Sequence, residues 1–401
     1  MSSENTSQST PQLANAIESI GAGENAELEI LKILIARASD KDPVLGEVIR
    51  FCAIPRRFNA ELIGALRQAP DDRETNEVLF TKIVSFSFAR KRPDGEYKYN
   101  DGTREALLGE WRSPEKREQF DQLNQHLVDF FKAECEKIVR LEPDLAIVAT
   151  LLQQASPARH VQVTSIFQRR LVAPLLEALY HKSLISAEAC YKYFERLFQD
   201  HEERGQLIVC DSLLTGTRDC LERLPADSGK ERWLKWLLYW RARLKREFRE
   251  EGQAAEILSD LLPQTEDDTL LKLWVLGDLG AIYYQQSKLR EAGEKYKQVI
   301  ELASTSGEDP YNLPIWYHRL AELYAALDEF DDAEENYRKA IVLAKDNASM
   351  EIAAQVDLAG VLYTRGNWED ALNTTIATLH LARTKLPSDK QVYRAVLNQL
   401  M

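Results

Sequence analysis

The chain has 401 residues, 44% of them hydrophobic and 29% charged, which is room for two or three domains that bury real cores in water. A net charge of −13 argues against a surface given over to nucleic acid. No apolar run approaches the roughly 18 residues of a membrane span, and no basic stretch followed by an apolar one marks a secretory signal. The five cysteines (Cys52, Cys135, Cys190, Cys210, Cys220) form no CxxC pair, have no histidine at metal-ligand spacing, and read as reduced, mostly buried thiols of a cytosolic protein.

Residues 1–25, rich in Ser, Thr, Asn and Gln, are expected to be a disordered leader. A domain follows over 26–113. Helical periodicity starts near Ala26, places Ile30, Leu31, Leu34 and Ile35 on one face, and breaks at Asp42 and Pro43. Helices are predicted over Pro43–Ile54, over Asn59–Arg67 with Asn59 as cap, and over Glu74–Phe86 with Val78, Leu79, Ile83 and Val84 inward. Two short strand-like runs, Ser87–Arg92 and Glu96–Asn100, flank the turn Pro93–Asp94–Gly95, a hairpin signal. Three helices followed by a hairpin is the order of a winged helix.

The stretches IPRRFNAELIGAL (54–66) and FTKIVSFSFARKRPDGEYKYNDGTREALLGEW (80–111) resemble the winged-helix segment that follows the nucleotide-binding domain in signal-transducing NTPases of the STAND class. In that family the second strand ends in an aromatic or Met, then His–Asp, then a helix, and the His contacts the nucleotide diphosphate. Here those positions are Tyr99, Asn100 and Asp101, and no GxxxxGK[ST] loop occurs; the one Gly–Lys pair, Gly229–Lys230, lacks the pattern. The resemblance implies the arm of such a switch without its motor, with an NTPase supplied in trans.

Residues 121–262 are predicted to form helical hairpins that are degenerate repeats. Leu123–Glu136 is amphipathic, Leu145–Gln153 and His160–Leu179 form a second pair, and Ala187, Tyr191 and Phe194 face Leu175, Leu176 and Leu179. Further pairs are expected over Arg204–Leu224 and Arg232–Leu262. In Arg232–Arg249, Trp233, Leu237, Trp240, Leu244 and Phe248 form an apolar stripe among Lys235, Arg241, Arg243, Lys245, Arg246 and Arg249. Such a helix is either the inner helix of a hairpin with solvated bases or a surface for an acidic partner, single-stranded nucleic acid or a membrane.

Three copies of one pattern occupy 270–384. The first reads Leu279, Gly280, Tyr283, Leu289, Ala292, Tyr296, Val299; the second Leu320, Ala321, Tyr324, Phe330, Ala333, Tyr337, Ala340; the third Leu358, Ala359, Leu362, Trp368, Ala371, Thr375. This order of large, small and aromatic residues resembles the tetratricopeptide repeat. The resemblance implies paired helices stacked into a superhelix whose concave face binds protein. The copies lie 41 and 38 residues apart, against a usual period of roughly 34, so helices or links are longer than usual. Residues 385–401 are read as a C-terminal capping helix. The expected fold is therefore mainly α, a winged-helix head followed by an α-solenoid of helical hairpins.

The groove positions that the repeat resemblance implies are Trp274, Gly277, Ala281 and Tyr284, then Ile315, His318, Glu322 and Ala325, then Ala353, Val356, Gly360 and Tyr363. None is Lys, Arg or Asn, which excludes a carboxylate clamp for chaperone tails; the lining suits an apolar helix or an extended peptide. Each of these residues either faces the groove or packs against the next repeat. In the head, Arg90, Lys91 and Arg92 could meet nucleic-acid phosphates, but Glu74–Phe86 carries Glu74, Glu77 and one base, Lys82, a poor reading helix. His201–Glu202 lacks a second zinc ligand because residue 205 is Gly205, and the acids at Glu266–Asp268 and Asp328–Asp332 read as helix starts rather than calcium loops. No catalytic grouping, metal site or cofactor is expected. The sequence reads as a non-catalytic scaffold or adaptor; the alternative is a DNA-binding regulator with a repeat sensor. A remnant of an ATP-dependent switch, the third possibility, is opposed by Asn100 and the missing phosphate loop.

Overall fold

A computed structural model describes residues 26–140, 157–308 and 312–385 of the chain. The expected leader (1–25), the pairing helix Leu145–Gln153 and the capping helix over 385–401, apart from Lys385, lie outside the described residues. The chain divides into two compact units at Lys230/Glu231, within the stretch expected to hold degenerate repeats.

The first unit opens with helices α1 (Ala26–Lys41), α2 (Pro43–Phe51), α3 (Ala60–Leu66) and α4 (Arg73–Val84), then β1 (Ala89–Lys91) and β2 (Tyr97–Tyr99), then α5 (Asp101–Trp111). Four of these helices begin at an Asx side chain that accepts a backbone N–H three residues on: Asp42 from Leu45, Asn59 from Leu62, Asp72 from Thr75 and Asn100 from Thr103. The strands pair antiparallel with Ala89 opposite Tyr99 and Lys91 opposite Tyr97, and Gly95 turns between them at φ +90°. Phe58 bridges to Tyr97, so the chain before α3 extends the hairpin. Tyr99 stands buried at the centre, its hydroxyl donating to the Ile49 carbonyl at 3.0 Å, with Phe58 and Phe88 edge-on to its ring. Leu79 and Ile83 are inward as expected, but Val78 is 49% exposed, because α4 presents one turn-spaced row to the core and Val78 falls beside it.

Helices α6 (Arg117–Val139), α7 (Pro157–Ile185), α8 (Ala187–Glu203) and α9 (Leu207–Glu222) complete this unit. Ala187, Tyr191, Phe194, Leu175 and Leu179 are all buried where α8 packs on α7, whereas Leu176 turns instead to Gly216 of α9. Glu177 on α7 receives Arg56 at 3.2 Å and Arg57 at 3.6 Å, which ties α7 to the segment between α2 and α3.

The second unit is a run of helical pairs: α10 (Lys230–Glu247, within this unit from Glu231) with α11 (Glu251–Leu261), α12 (Thr269–Gln285) with α13 (Leu289–Ser306), α14 (Leu313–Ala326) with α15 (Phe330–Leu343), and α16 (Ala348–Thr364) with α17 (Trp368–Lys385). The long spacing comes largely from long helices: only residues 344–347 separate α15 from α16. The small residues do what their size permits. Tyr296 lies over Gly280, and Ala292, Ala333 and Ala371 are buried at the start of each second helix. Tyr337 packs with Ala321, Leu358 and Leu362, joining the second copy to the third. Trp368 departs from the pattern. Leu289 and Phe330 at its equivalent positions are half-buried, but Trp368 is 70% exposed.

In α10 the expected stripe is partly shifted. Leu237, Trp240 and Leu244 are buried, and Trp236 and Tyr239 join them, while Phe248 is 42% exposed beyond the helix end. Its bases are not simply solvated: Lys235 pairs with Asp267, Lys245 with Glu250 and Arg246 with Asp278. All five cysteines are free, and burial pushes the Cys135 and Cys210 thiols up to about 12. Among the described residues no helix is long and apolar enough to cross a membrane.

Candidate functional site: the inner face of the second unit

Each first helix of a pair (α12, α14, α16) repeats its positions relative to the marker residues Leu279, Leu320 and Leu358, so equivalent side chains align across hairpins. Five residues before the marker stand Trp274 and Ile315, both half-buried, and Ala353, which is exposed. Trp274 sets its ring edge-on to Tyr239 of α10, centroids 6.1 Å apart. At the next position, Gly277 is covered by the Trp316 ring, His318 is 8% exposed and Val356 is half-buried. Two residues after the marker are Ala281, Glu322 and Gly360, all half-buried. At the last position Tyr284 and Ala325 are half-buried and Tyr363 is 65% exposed. Tyr284 leans on the cluster of Tyr296, Leu320 and Leu323. Gly277 thus packs against the next repeat, while Trp274, Ile315, Glu322 and Tyr363 keep accessible surface.

The charged residues immediately before each marker, Asp278, Arg319 and Asp357, join this face, and the repeat resemblance does not include them among its groove positions. Asp278 accepts from Arg246 of α10 at 2.6 Å. Arg319 donates to Glu322 at 2.8 Å. Asp357 Oδ2 lies 2.8 Å from His318 Nε2, linking α14 to α16. Burial first, then Asp278, pushes the Tyr239 phenol up. The Tyr337 phenol is raised by burial, then by Asp357, Glu322 and Tyr284, with Arg319 opposing. Beside the expected small and aromatic residues, this face also carries the charges of Asp278, Arg319 and Asp357. The available signal was that Asp278 and Lys272 are the only formal charges in α12, as Glu351 and Asp357 are in α16. A lone acid inside an otherwise apolar helix needs a partner.

In the head, Arg90 and Lys91 are exposed on β1, while Arg92 bonds Asp94 at 3.0 Å and Lys82 of α4 bonds Asp42 at 2.9 Å. Asn100, at the position of the STAND histidine, uses its side-chain oxygen to cap α5, accepting from Thr103 at 2.7 Å. The acids Glu266–Asp268 and Asp328–Asp332 flank helix starts, with Asp268 capping α12 and Asp331 and Asp332 in the first turn of α15. Gly205, where a second zinc ligand would stand, turns the chain from α8 to α9 at φ +68°.

A family profile described as tetratricopeptide repeat matches residues 271–346, which span the first two copies. No curated protein matches the chain in sequence. Among solved structures, BtubC (BKLC) from P. vanneervenii is similar with a TM-score of 0.43 at 16% identity, over 65% of this chain and 93% of that one. A Rap protein complexed with competence and sporulation factor gives 0.41 at 12% identity, over 68% and 87%. A signal transduction ATPase with numerous domains and a tetratricopeptide repeat sensor, from Pyrococcus horikoshii, gives 0.37 at 12% identity, over 97% and 72%.

Proposed function

We propose that this chain is a non-catalytic, cytosolic scaffold whose second unit holds a segment of a partner protein along the inner face of α12, α14 and α16. The observation that carries this reading is the row just described: apolar anchors with free surface at Trp274, Ile315 and Tyr363, set among Asp278, Arg319, Glu322, His318 and Asp357 at equivalent positions of successive hairpins. Anchors in a groove supply affinity, and fixed charges select orientation and partner. The partner is accordingly a peptide or helix with apolar side chains and charges of both signs. The head of the first unit, helices α2, α3 and α4 followed by the β1–β2 hairpin, is read as a winged helix that docks on a protein, a STAND-type NTPase in trans being the partner its sequence implies.

The test is a nuclease-treated pull-down with tagged wild type beside the double variant Trp274→Ala, Tyr284→Ala. A partner enriched by the wild type and lost with the variant supports the scaffold; one held equally by both removes the inner face from consideration. The exposed Arg90 and Lys91 favour a second reading, a DNA-binding regulator. Reversing Arg90, Lys91 and Arg92 to Glu would abolish DNA retention on that reading and leave protein capture unchanged on the first.

A further inference from the structure

We propose that His318, Glu322 and Asp357 form a binding site for a divalent transition-metal ion, with Zn²⁺ the best-suited ion, that ties the hairpin α14/α15 to the hairpin α16/α17. One ligand atom from each residue, an imidazole nitrogen and one oxygen of each carboxylate, lies within 4.8 Å of the other two. Ligands of such an ion stand about 2.0–2.2 Å from it, so these atoms need close by only a small side-chain adjustment to share one centre. The sequence spacing builds half the site, because His318 and Glu322 are four apart on α14 and therefore on one face. The superhelical packing builds the rest by bringing Asp357 of α16 to 2.8 Å from the imidazole.

Three features favour an ion over a plain hydrogen-bond cluster. His318 is 8% exposed and held edge-on against the Tyr337 ring at 5.3 Å, so its orientation is set before any ligand arrives. Both imidazole nitrogens face carboxylates, Nδ1 at 3.9 Å from Glu322 and Nε2 at 2.8 Å from Asp357. A neutral imidazole has one proton to donate and so satisfies one of them; an ion held by one ring nitrogen and both carboxylates satisfies both, as would a second proton on the ring, and the Co²⁺ spectrum tells these apart. The opposing charge is Arg319, which occupies Glu322 Oε2 at 2.8 Å and leaves Oε1 toward the histidine. Two carboxylates against one guanidinium leave the pocket net negative. One nitrogen and two oxygens suit Zn²⁺ with a fourth position open to water. None of this depends on whether the inner face binds protein.

The experiment is Zn²⁺ titration of the full chain, freed of any tag and stripped with chelator, by calorimetry, repeated with Co²⁺ to read the coordination spectrum. One saturable site is expected, with a Co²⁺ spectrum lacking a thiolate charge-transfer band. His318→Gln and Asp357→Asn should each weaken binding by about 100-fold. Asp357→Asn keeps the shape of the side chain, so it remains informative if His318→Gln unfolds. His380→Ala, an exposed histidine on α17, should bind as the wild type does. Zn²⁺ should raise the melting temperature of the wild type and not of Asp357→Asn. No saturable binding, binding that survives Asp357→Asn in a folded protein, or a thiolate band would each overturn the assignment.

Discussion

A single residue in the left-handed region closes each pair of helices in the second unit: Arg249 (φ 60°), Ser287 (58°), Asp328 (60°) and Gly366 (89°). In every case the next N–H returns to the carbonyl five residues back, as from Lys288 to Tyr283 and from Asn367 to Leu362, both at 2.9 Å. Only glycine adopts this conformation freely. Ser287→Gly should therefore raise stability by about 0.5–1 kcal/mol, and Gly366→Ala should lower it by about 1 kcal/mol, both read from urea unfolding. Gly277 answers to a different constraint: a Cβ there would meet Trp316 Cη2 at 2.2 Å. Gly277→Ala should cost about 1–3 kcal/mol by overpacking and quench or shift the tryptophan signal. His181 supplies a pH dependence. Its imidazole is buried with Nδ1 against Asn124 at 2.9 Å, and burial, then Arg56 and Arg104, holds its pKa well below the usual value. Above about pH 6.5 the imidazole is neutral in both folded and unfolded chains. Below that, the unfolded chain gains a proton that the folded one refuses, so stability must fall as the pH drops. The slope of unfolding free energy between pH 7.5 and 5.5 should flatten in His181→Gln; an unchanged slope would assign it to other groups.

Among the elements, α12 shows how one side chain can hold a helix start. Asp268 accepts from the Leu271 N–H at 3.1 Å, from Trp236 Nε1 at 3.0 Å and from Arg232 at 2.8 Å. Asp268→Ala removes the cap and an acceptor of the Trp236 indole, and should cost about 2–3 kcal/mol in urea unfolding. Its neighbour Asp267, 71% exposed and paired with Lys235, should cost under about 1 kcal/mol when changed to Ala. Equal effects of the two would show that the cap is unimportant. Caps such as Asn59 were legible because the signal is local: a short polar side chain ahead of an apolar run bonds its own helix. The exposure of Val78 and Trp368 was not, because each belongs to a periodic apolar row and only the packing of neighbouring elements decides which part of that row is covered.

For the molecule as a whole, the second unit contains four stacked pairs with their own buried clusters, more than the roughly three repeats such arrays need. A fragment of residues 231–401 should therefore fold alone and melt cooperatively by circular dichroism. A disordered fragment would mean that this unit depends on the first. Two of the left-handed turns outside the three sequence copies widen the repeat reading. Gly205 after α8 and Arg249 after α10 each precede by five residues a buried small side chain, Cys210 and Ala254, as Ser287 precedes Ala292. We read α8/α9 and α10/α11 as divergent members of the same series.

The helical class, the three copies with their close-packing small residues, and the capped starts of the short N-terminal helices follow from local spacing alone, since periodicity and capping act within a few residues. The partners of charges do not. Asp278 finds Arg246, and Asp357 finds His318, across 32 and 39 residues of chain. Such pairings arise only when hairpins stack in register, and that stacking sets the His318 imidazole between two carboxylates beside the small and aromatic residues of the groove.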